Sequence, residues 1–68
     1  MLIQLNGRPA ELPDGASVAE AIAAAGAEHD QRGLAVAVEG EVVPRGEWEA
    51  TDLRDGQAVE VVRAIQGG

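Results

Sequence analysis

The group in this sequence best suited to chemistry is the terminal carboxylate that follows Gly67 and Gly68. A free α-carboxyl group is ionised at neutral pH, so it can attack the α-phosphate of ATP to give an acyl-adenylate. A sulfur nucleophile can then displace AMP and leave a thiocarboxylate. Glycine has no Cβ, so such a tail can pass through a narrow channel in a partner enzyme. The residues alone therefore indicate either a chain end modified by other proteins or an inert, frayed tail.

The side chains offer no comparable reaction centre. There is no cysteine, which excludes a thiol nucleophile, a thiolate metal site and a disulfide, and no lysine to provide a side-chain amine. His29 lies between Glu28 and Asp30 in a polar segment, where we expect a solvated loop rather than a metal site. Ser17 fits a helix cap better than a nucleophile. We therefore predict that the chain is not an enzyme and has no catalytic residues, metal or bound cofactor.

The charge balance favours a protein partner. Five arginines face twelve carboxylates, and the formal net charge is −7. An acidic surface repels nucleic-acid backbones and suits a basic patch on another protein. No stretch approaches the roughly 20 apolar residues of a membrane span, and the opening residues do not resemble a signal peptide. These observations predict a cytoplasmic protein that binds neither nucleic acid nor membrane.

A β-hairpin is predicted at the start of the chain. Apolar residues alternate between positions 1 and 5, which is typical of a strand with one buried face. Asn6 followed by Gly7 favours a two-residue turn in which both residues have positive φ. The returning strand, from about 8 to 12, contains Pro9. Proline donates no hydrogen bond to a sheet, so this strand should lie at an edge.

One helix is predicted from Val18 to Ala25. Its apolar residues recur at i, i+3, i+4 and i+7, which places them on a single face. The alanines among them favour helix intrinsically. Ser17 and Glu20 have the spacing of a capping box, and Gly26 stands where a glycine commonly ends a helix. This helix should cover one face of a sheet.

The remaining strands complete the predicted architecture. They run from Leu34 to Val38, from Glu41 to Val43, and along a valine-rich stretch that ends near Arg63. Strands on both sides of one helix imply an α+β fold, and the first and last strands carry the most apolar residues, so we place them together at the sheet centre. The prediction is a β-grasp domain at 1–63, with a mixed four- to five-stranded sheet and one main helix packed on one face, followed by a flexible tail at 64–68.

Several short motifs carry a resemblance to a known family. They are Val42-Val43-Pro44-Arg45, then Trp48, then Asp55-Gly56, and finally Ala64-Ile65-Gln66-Gly67-Gly68. With these motifs, nearly the whole chain resembles the ThiS family, the ubiquitin-like sulfur carriers of thiamine biosynthesis. The resemblance implies a β-grasp fold. It also implies that the carboxylate of Gly68 is adenylated and converted to a thiocarboxylate that donates sulfur for the thiazole ring of thiamine.

The resemblance also implies partners. An E1-like adenylyltransferase of the ThiF type would use ATP, a protein such as a cysteine desulfurase would donate sulfur, and a thiazole synthase of the ThiG type would receive it. Ile65, Gln66 and Gly67 are the tail residues expected to enter partner active sites, and exposed apolar residues of the final strands are expected to contact partners. We expect Trp48 to be a packing residue, and Arg45 to be solvated or to bind a local carbonyl.

Other functions share the same sequence features. The small subunit of molybdopterin synthase has the same fold and the same Gly-Gly end, although the short length and the Pro44-Arg45 and Trp48 pattern favour the thiamine family. A ubiquitin-like modifier would form isopeptide bonds through Gly68. A plain β-grasp interaction module would keep its function without Gly67 and Gly68. These alternatives remain open from the sequence.

Overall fold

The computed structural model describes residues 1–64, so the predicted tail residues Ile65, Gln66, Gly67 and Gly68 lie outside it. The strands are β1 (Leu2–Leu5), β2 (Arg8–Glu11), β3 (Leu34–Val38), β4 (Glu41–Val42) and β5 (Ala58–Arg63); α1 is Val18–Ala24, and Arg45–Glu47 is a short 3₁₀ turn. The sheet order is β2-β1-β5-β3-β4. β1 and β5 are parallel at the centre, and the other neighbours are antiparallel. The predicted mixed sheet and its central strands are confirmed.

Two tight turns form the hairpins. Asn6 and Gly7 have φ values of 52° and 80°, and Glu39 and Gly40 have φ values of 51° and 83°. Positive φ at both central residues matches the right-handed twist of the strands that the turn joins. The prediction for Asn6-Gly7 is therefore confirmed, and Pro9 lies on the edge strand β2 as expected.

The helix begins where it was predicted, but the capping box does not form. Ser17 occupies the N-cap position without a side-chain hydrogen bond to the helix. The backbone carbonyls of Thr51 and Trp48 instead accept the amides of Val18 and Ala19 at 2.9 and 3.0 Å. A neighbouring segment thus satisfies donors that a cap would otherwise have to meet. This tertiary contact removes the need for the serine hydroxyl.

The helix ends in a Schellman motif. Gly26 has φ 81°, and its amide bonds the carbonyl of Ala23 at 2.9 Å. The amide of Ala27 bonds the carbonyl of Ile22 at 3.1 Å. Both bonds satisfy carbonyls that the last helical turn leaves free, and the positive φ is why glycine is favoured at this position.

The core is aliphatic apart from Trp48. Helix residues Val18 and Ile22 are fully buried against Ile3 of β1 and Val59 of β5. Trp48 is 4% exposed, and its ring nitrogen donates to the carbonyl of Val43 at 2.9 Å. Because that hydrogen bond satisfies its polar edge, the indole can fill one end of the core. The expectation that Trp48 is a packing residue is confirmed.

Asn6 extends the pairing of β5 beyond the end of β1. Its side-chain oxygen accepts the amide of Val61 at 2.8 Å, and its side-chain nitrogen donates to the carbonyl of Val61 at 3.2 Å. The side-chain amide thus takes the place of a backbone peptide next to β5. The same residue therefore makes the turn and supports the last strand.

Asn6→Gly tests the second of these roles. Glycine keeps the positive φ but removes both side-chain bonds, so we expect the free energy of unfolding to fall by about 1–3 kcal/mol. Chemical denaturation followed by circular dichroism measures the loss. Hydrogen exchange should also speed up at the amide of Val61, and an unchanged rate there would contradict the assignment.

Candidate functional site

The described residues hold no arrangement typical of an active site. The side chain of His29 is 94% exposed, and its Nε2 lies 3.8 Å from the carboxylate of Glu28. Within residues 1–64 no three His, Cys, Asp or Glu side chains come together as metal ligands. Ser17 starts the helix, and its backbone bridges Asp52.

In the described part of the chain, no helix is both long and apolar enough to cross a bilayer.

A small apolar surface lies on the face of the sheet opposite the helix. Its residues belong to three neighbouring strands, and we call them the open-face patch: Ala35, Ala37, Val42 and Val62. The strand register pairs Ala35 with Val62 and Ala37 with Val42. Val42 is 74% exposed and Val62 is 55% exposed. These four residues line one shallow groove together with Glu60.

Exposed valines on the two strands that flank β3 are suited to contact with another protein. Single exposed apolar residues are common, but a group on one face marks a possible contact surface. Glu60 adds a negative charge to the groove, in a chain with a net charge of −7. A partner with apolar groups rimmed by basic residues would match this patch.

Strand β5 contributes one residue to the patch and leads directly into the predicted tail. Val62 belongs to the patch, and Arg63 ends the strand. Ala64, the first residue of the predicted tail, donates its amide to the carbonyl of Gly33 at 2.8 Å. The remaining tail residues follow directly from this point in the sequence. A protein bound to the patch would therefore lie next to the place where the tail begins.

The loop before β3 is held by donors from elsewhere in the fold. Arg63 donates through Nη1 to the carbonyl of Arg32 at 2.8 Å and through Nη2 to that of Asp30 at 2.7 Å. Arg45 donates to the carbonyl of Gln31 at 2.6 Å. Together with the bond from Ala64 to Gly33, four consecutive carbonyls of the loop are satisfied. We call residues 30–33 the root loop.

Arg45 was expected to be solvated or to bind a local carbonyl, and the structure confirms a carbonyl acceptor but not a local one. Its acceptor is the carbonyl of Gln31, 14 residues away along the chain. Its guanidinium also lies 4.9 Å from the centre of the Trp48 ring. This cation–π contact links the buried tryptophan to the root loop.

The carboxylate of Asp30 forms an ion pair with Arg32 in the root loop. Hydrogen bonds from the side chain and the backbone of Arg32 hold the pKa of Asp30 below its ordinary value, and the charge of Arg63 adds to this. Arg32 Nε lies 3.1 Å from Asp30 Oδ1, and Arg63 Nη1 lies 3.8 Å from the same oxygen. These groups are substantially exposed, so solvent and salt weaken their attraction.

The predicted site residues thus fall into two groups. Ile65, Gln66, Gly67 and Gly68 lie outside the described residues, and their roles remain predictions. The exposed apolar residues expected on the final strands are present as the open-face patch. Sequence reasoning missed Arg63, whose acceptors are backbone carbonyls about thirty residues away. The available signal was an arginine at the junction of the last strand and the tail.

The sheet order, the helix across one face and the central last strand of the described residues define a ubiquitin-like β-grasp protein. Its sequence matches the model of the ThiS family over residues 3–68. The chain therefore belongs to the ThiS family, whose members are sulfur carriers of thiamine biosynthesis rather than enzymes.

Solved structures support the same placement. The crystal structure of the thiamine biosynthesis protein ThiS from Geobacter metallireducens is 30% identical in sequence, has a TM-score of 0.81, and covers 100% of both chains. An NMR solution structure of a thiamine biosynthesis protein from Geobacter metallireducens is also 30% identical. It has a TM-score of 0.77 and covers 100% of this chain and 88% of that chain. No curated protein matches the sequence.

Arg32→Gln tests the electrostatics of the root loop. Without the guanidinium, we expect the pKa of Asp30 to rise towards its ordinary value, as measured by NMR titration of the side-chain carboxyl. A depressed pKa in the folded state stabilises the protein above the ordinary aspartate range, and this contribution is lost as the pH falls through the folded pKa. The difference in the free energy of unfolding between the wild type and Arg32→Gln should therefore be present at neutral pH and disappear as the pH falls below about 4. It should also shrink in high salt.

A matched control removes the same charge from a different loop. Arg54→Gln should leave the titration of Asp30 unchanged. Equal shifts in both variants would contradict a local hydrogen bond and indicate an effect of net charge.

Proposed function

We propose that this chain carries sulfur as a thiocarboxylate on Gly68 for the thiazole ring of thiamine. The observation that supports this most is the family match, which extends from residue 3 to residue 68 and so includes the Gly-Gly end. The absence of cysteine from the sequence adds to it, because a chain without thiols cannot carry sulfur on a side-chain thiol.

The proposed reaction has two steps. An oxygen of the Gly68 carboxylate attacks the α-phosphorus of ATP, which forms an acyl-adenylate and releases pyrophosphate. Hydrosulfide then attacks the carbonyl carbon and expels AMP, which leaves the thiocarboxylate. If a protein persulfide supplies the sulfur instead, the product is an acyl disulfide, and a thiol reductant must cleave it to release the thiocarboxylate.

The catalytic groups belong to the partners in this proposal. Ile65, Gln66 and Gly67 contribute no carboxylate, imidazole or thiol, so an E1-like adenylyltransferase must bind ATP and position the carboxylate. A cysteine desulfurase or a similar protein supplies sulfur, and a thiazole synthase receives it. The chain is then a co-substrate of these enzymes.

The open-face patch is the proposed docking surface for the adenylyltransferase. Docking there places the enzyme beside Ala64, where the tail begins, and the acidic charge of the chain favours a basic rim on the enzyme. The contact would fix the domain while the tail enters the active site. Binding and chemistry would then be separate and could be disturbed separately.

The first test is the intact mass after incubation with the adenylyltransferase, ATP and a sulfur source. We expect an oxygen-to-sulfur exchange confined to Gly68. Oxidation of Met1 adds almost the same mass, so fragmentation must place the change. An unmodified Gly68, with an enzyme shown to be active, would contradict sulfur carriage.

A deletion of Gly67 and Gly68 is the matched control. It should keep the circular dichroism spectrum and the unfolding midpoint of the full chain but lose adenylation completely. If the deleted chain still supports growth without thiamine, the inert-tail alternative is correct. Conjugates of high molecular weight in cell lysate would instead support a protein modifier.

Val42→Arg tests the docking surface. Val42 is 74% exposed, so the fold should tolerate arginine, but the new charge would meet the basic rim of the enzyme. We expect the KM for this chain in the adenylation reaction to rise about tenfold, with kcat nearly unchanged. ATP–pyrophosphate exchange, measured over a range of carrier concentrations, separates the two constants.

Leu2→Arg provides the comparison. Leu2 is also an exposed apolar residue of the sheet, at 47% exposure, but it lies on β1 outside the patch. Its substitution should leave KM near the wild-type value. Similar rises in both variants would show that added charge, rather than the patch, controls binding.

A further inference from the structure

We propose that Arg63 is a positioning residue that fixes the root of the C-terminal tail against the root loop, so that the carboxylate is delivered efficiently to the adenylating enzyme. This inference rests on the proposed function. It assigns a role to a residue at the end of β5 that belongs neither to the core nor to the tail.

The contacts of Arg63 join two segments that are distant in sequence. Its two terminal nitrogens reach the carbonyls of Arg32 and Asp30, which lie 31 and 33 residues earlier in the chain. Next to them, the amide of Ala64 bonds the carbonyl of Gly33. Arg63 and Ala64, at the junction of β5 and the tail, thus make three hydrogen bonds to the same loop. Ala64 cannot leave this position unless the bonds to the loop break.

Gly33 allows the close approach on the loop side. It has φ 72°, and a Cβ built on it would lie 3.4 Å from the carbonyl oxygen of Ala64. A side chain there would be strained by the positive φ, whereas the 3.4 Å distance by itself is an ordinary contact. The glycine therefore permits the backbone conformation that brings the loop beside the end of β5.

The chemistry of the arginine fits this task. Guanidinium is planar and presents several donors in a fixed fork, so one side chain can bond two carbonyls at once. A lysine ammonium is a single point on a flexible stem. The side chain of Arg63 is 42% exposed, so it contributes little to the core and more to the direction of the chain.

A fixed root should act on catalysis more than on binding. The adenylyltransferase must bring the terminal carboxylate into line with the α-phosphate, and a loose root adds chain freedom that has to be lost in reaching that geometry. The open-face patch does not include Arg63, so docking should remain. Loss of the root contacts should therefore lower kcat and leave KM nearly unchanged.

The first experiment uses the free protein. In Arg63→Ala, the NMR order parameter of the Ala64 amide should fall from a rigid value of about 0.85 to below about 0.6. The amides of the core strands should keep their values. A rigid Ala64 in this variant would overturn the proposal, since the arginine would not be holding the root.

The second experiment measures carrier-dependent ATP–pyrophosphate exchange. We expect kcat to fall about tenfold in Arg63→Ala, with KM within about twofold of wild type. Arg63→Lys can bond only one of the two carbonyls well and should give an intermediate kcat. Arg54→Ala removes the same charge from a loop outside β5 and should behave as wild type.

The outcomes separate this proposal from the proposed function. If the wild-type chain supports no exchange, the proposed function fails. If the wild type is active and Arg63→Ala has an unchanged kcat, only the positioning role is lost. A fall in kcat that is equal in Arg63→Ala and Arg54→Ala would also overturn it, because net charge would then explain the effect.

Discussion

The pairing of the last strand between β1 and β3 is the constraint on which this structure depends. β5 is parallel to β1 and antiparallel to β3, so both of its edges need partners from distant parts of the chain. Backbone groups left unpaired inside a sheet are costly. Two side chains complete the pairing where strands end: Asn6 bonds Val61, and Glu39 accepts the amide of Ala58. The turn residues of both hairpins therefore also support the central strand.

The two faces of the central strand β5 lie in different environments. Val59 and Val61 point into the core, whereas Glu60 and Val62 belong to the open face. The core face packs against the helix and Trp48, and no helix or strand of the described chain covers the open face. One strand of six residues thus contributes to stability, to the open-face patch and to the root of the tail.

Local signals allowed most of this fold to be predicted from the sequence. Both hairpins depend on neighbouring residues, such as Asn6 with Gly7, and the helix end depends on Gly26. Ser17 is the N-cap residue as predicted, but the predicted capping box was wrong, because backbone carbonyls from a segment distant in sequence satisfy the helix amides. The contacts of Arg63 were not predicted for the same reason: its acceptors are backbone carbonyls, which have no sequence signature. The exposed apolar residues of the final strands were expected, but the register decided which of them form one patch.

The parallel alignment of β1 and β5 has a mechanical consequence. A pull on Ala64 along the axis of β5 loads the hydrogen bonds to both neighbouring strands together, in shear, rather than opening them one after another. Strands loaded in this way resist force better than strands peeled from an edge, and their failure is governed by the unfolding rate. An enzyme could therefore pull on the C-terminal end of this small domain, or release the tail from a tight channel, without unfolding the sheet.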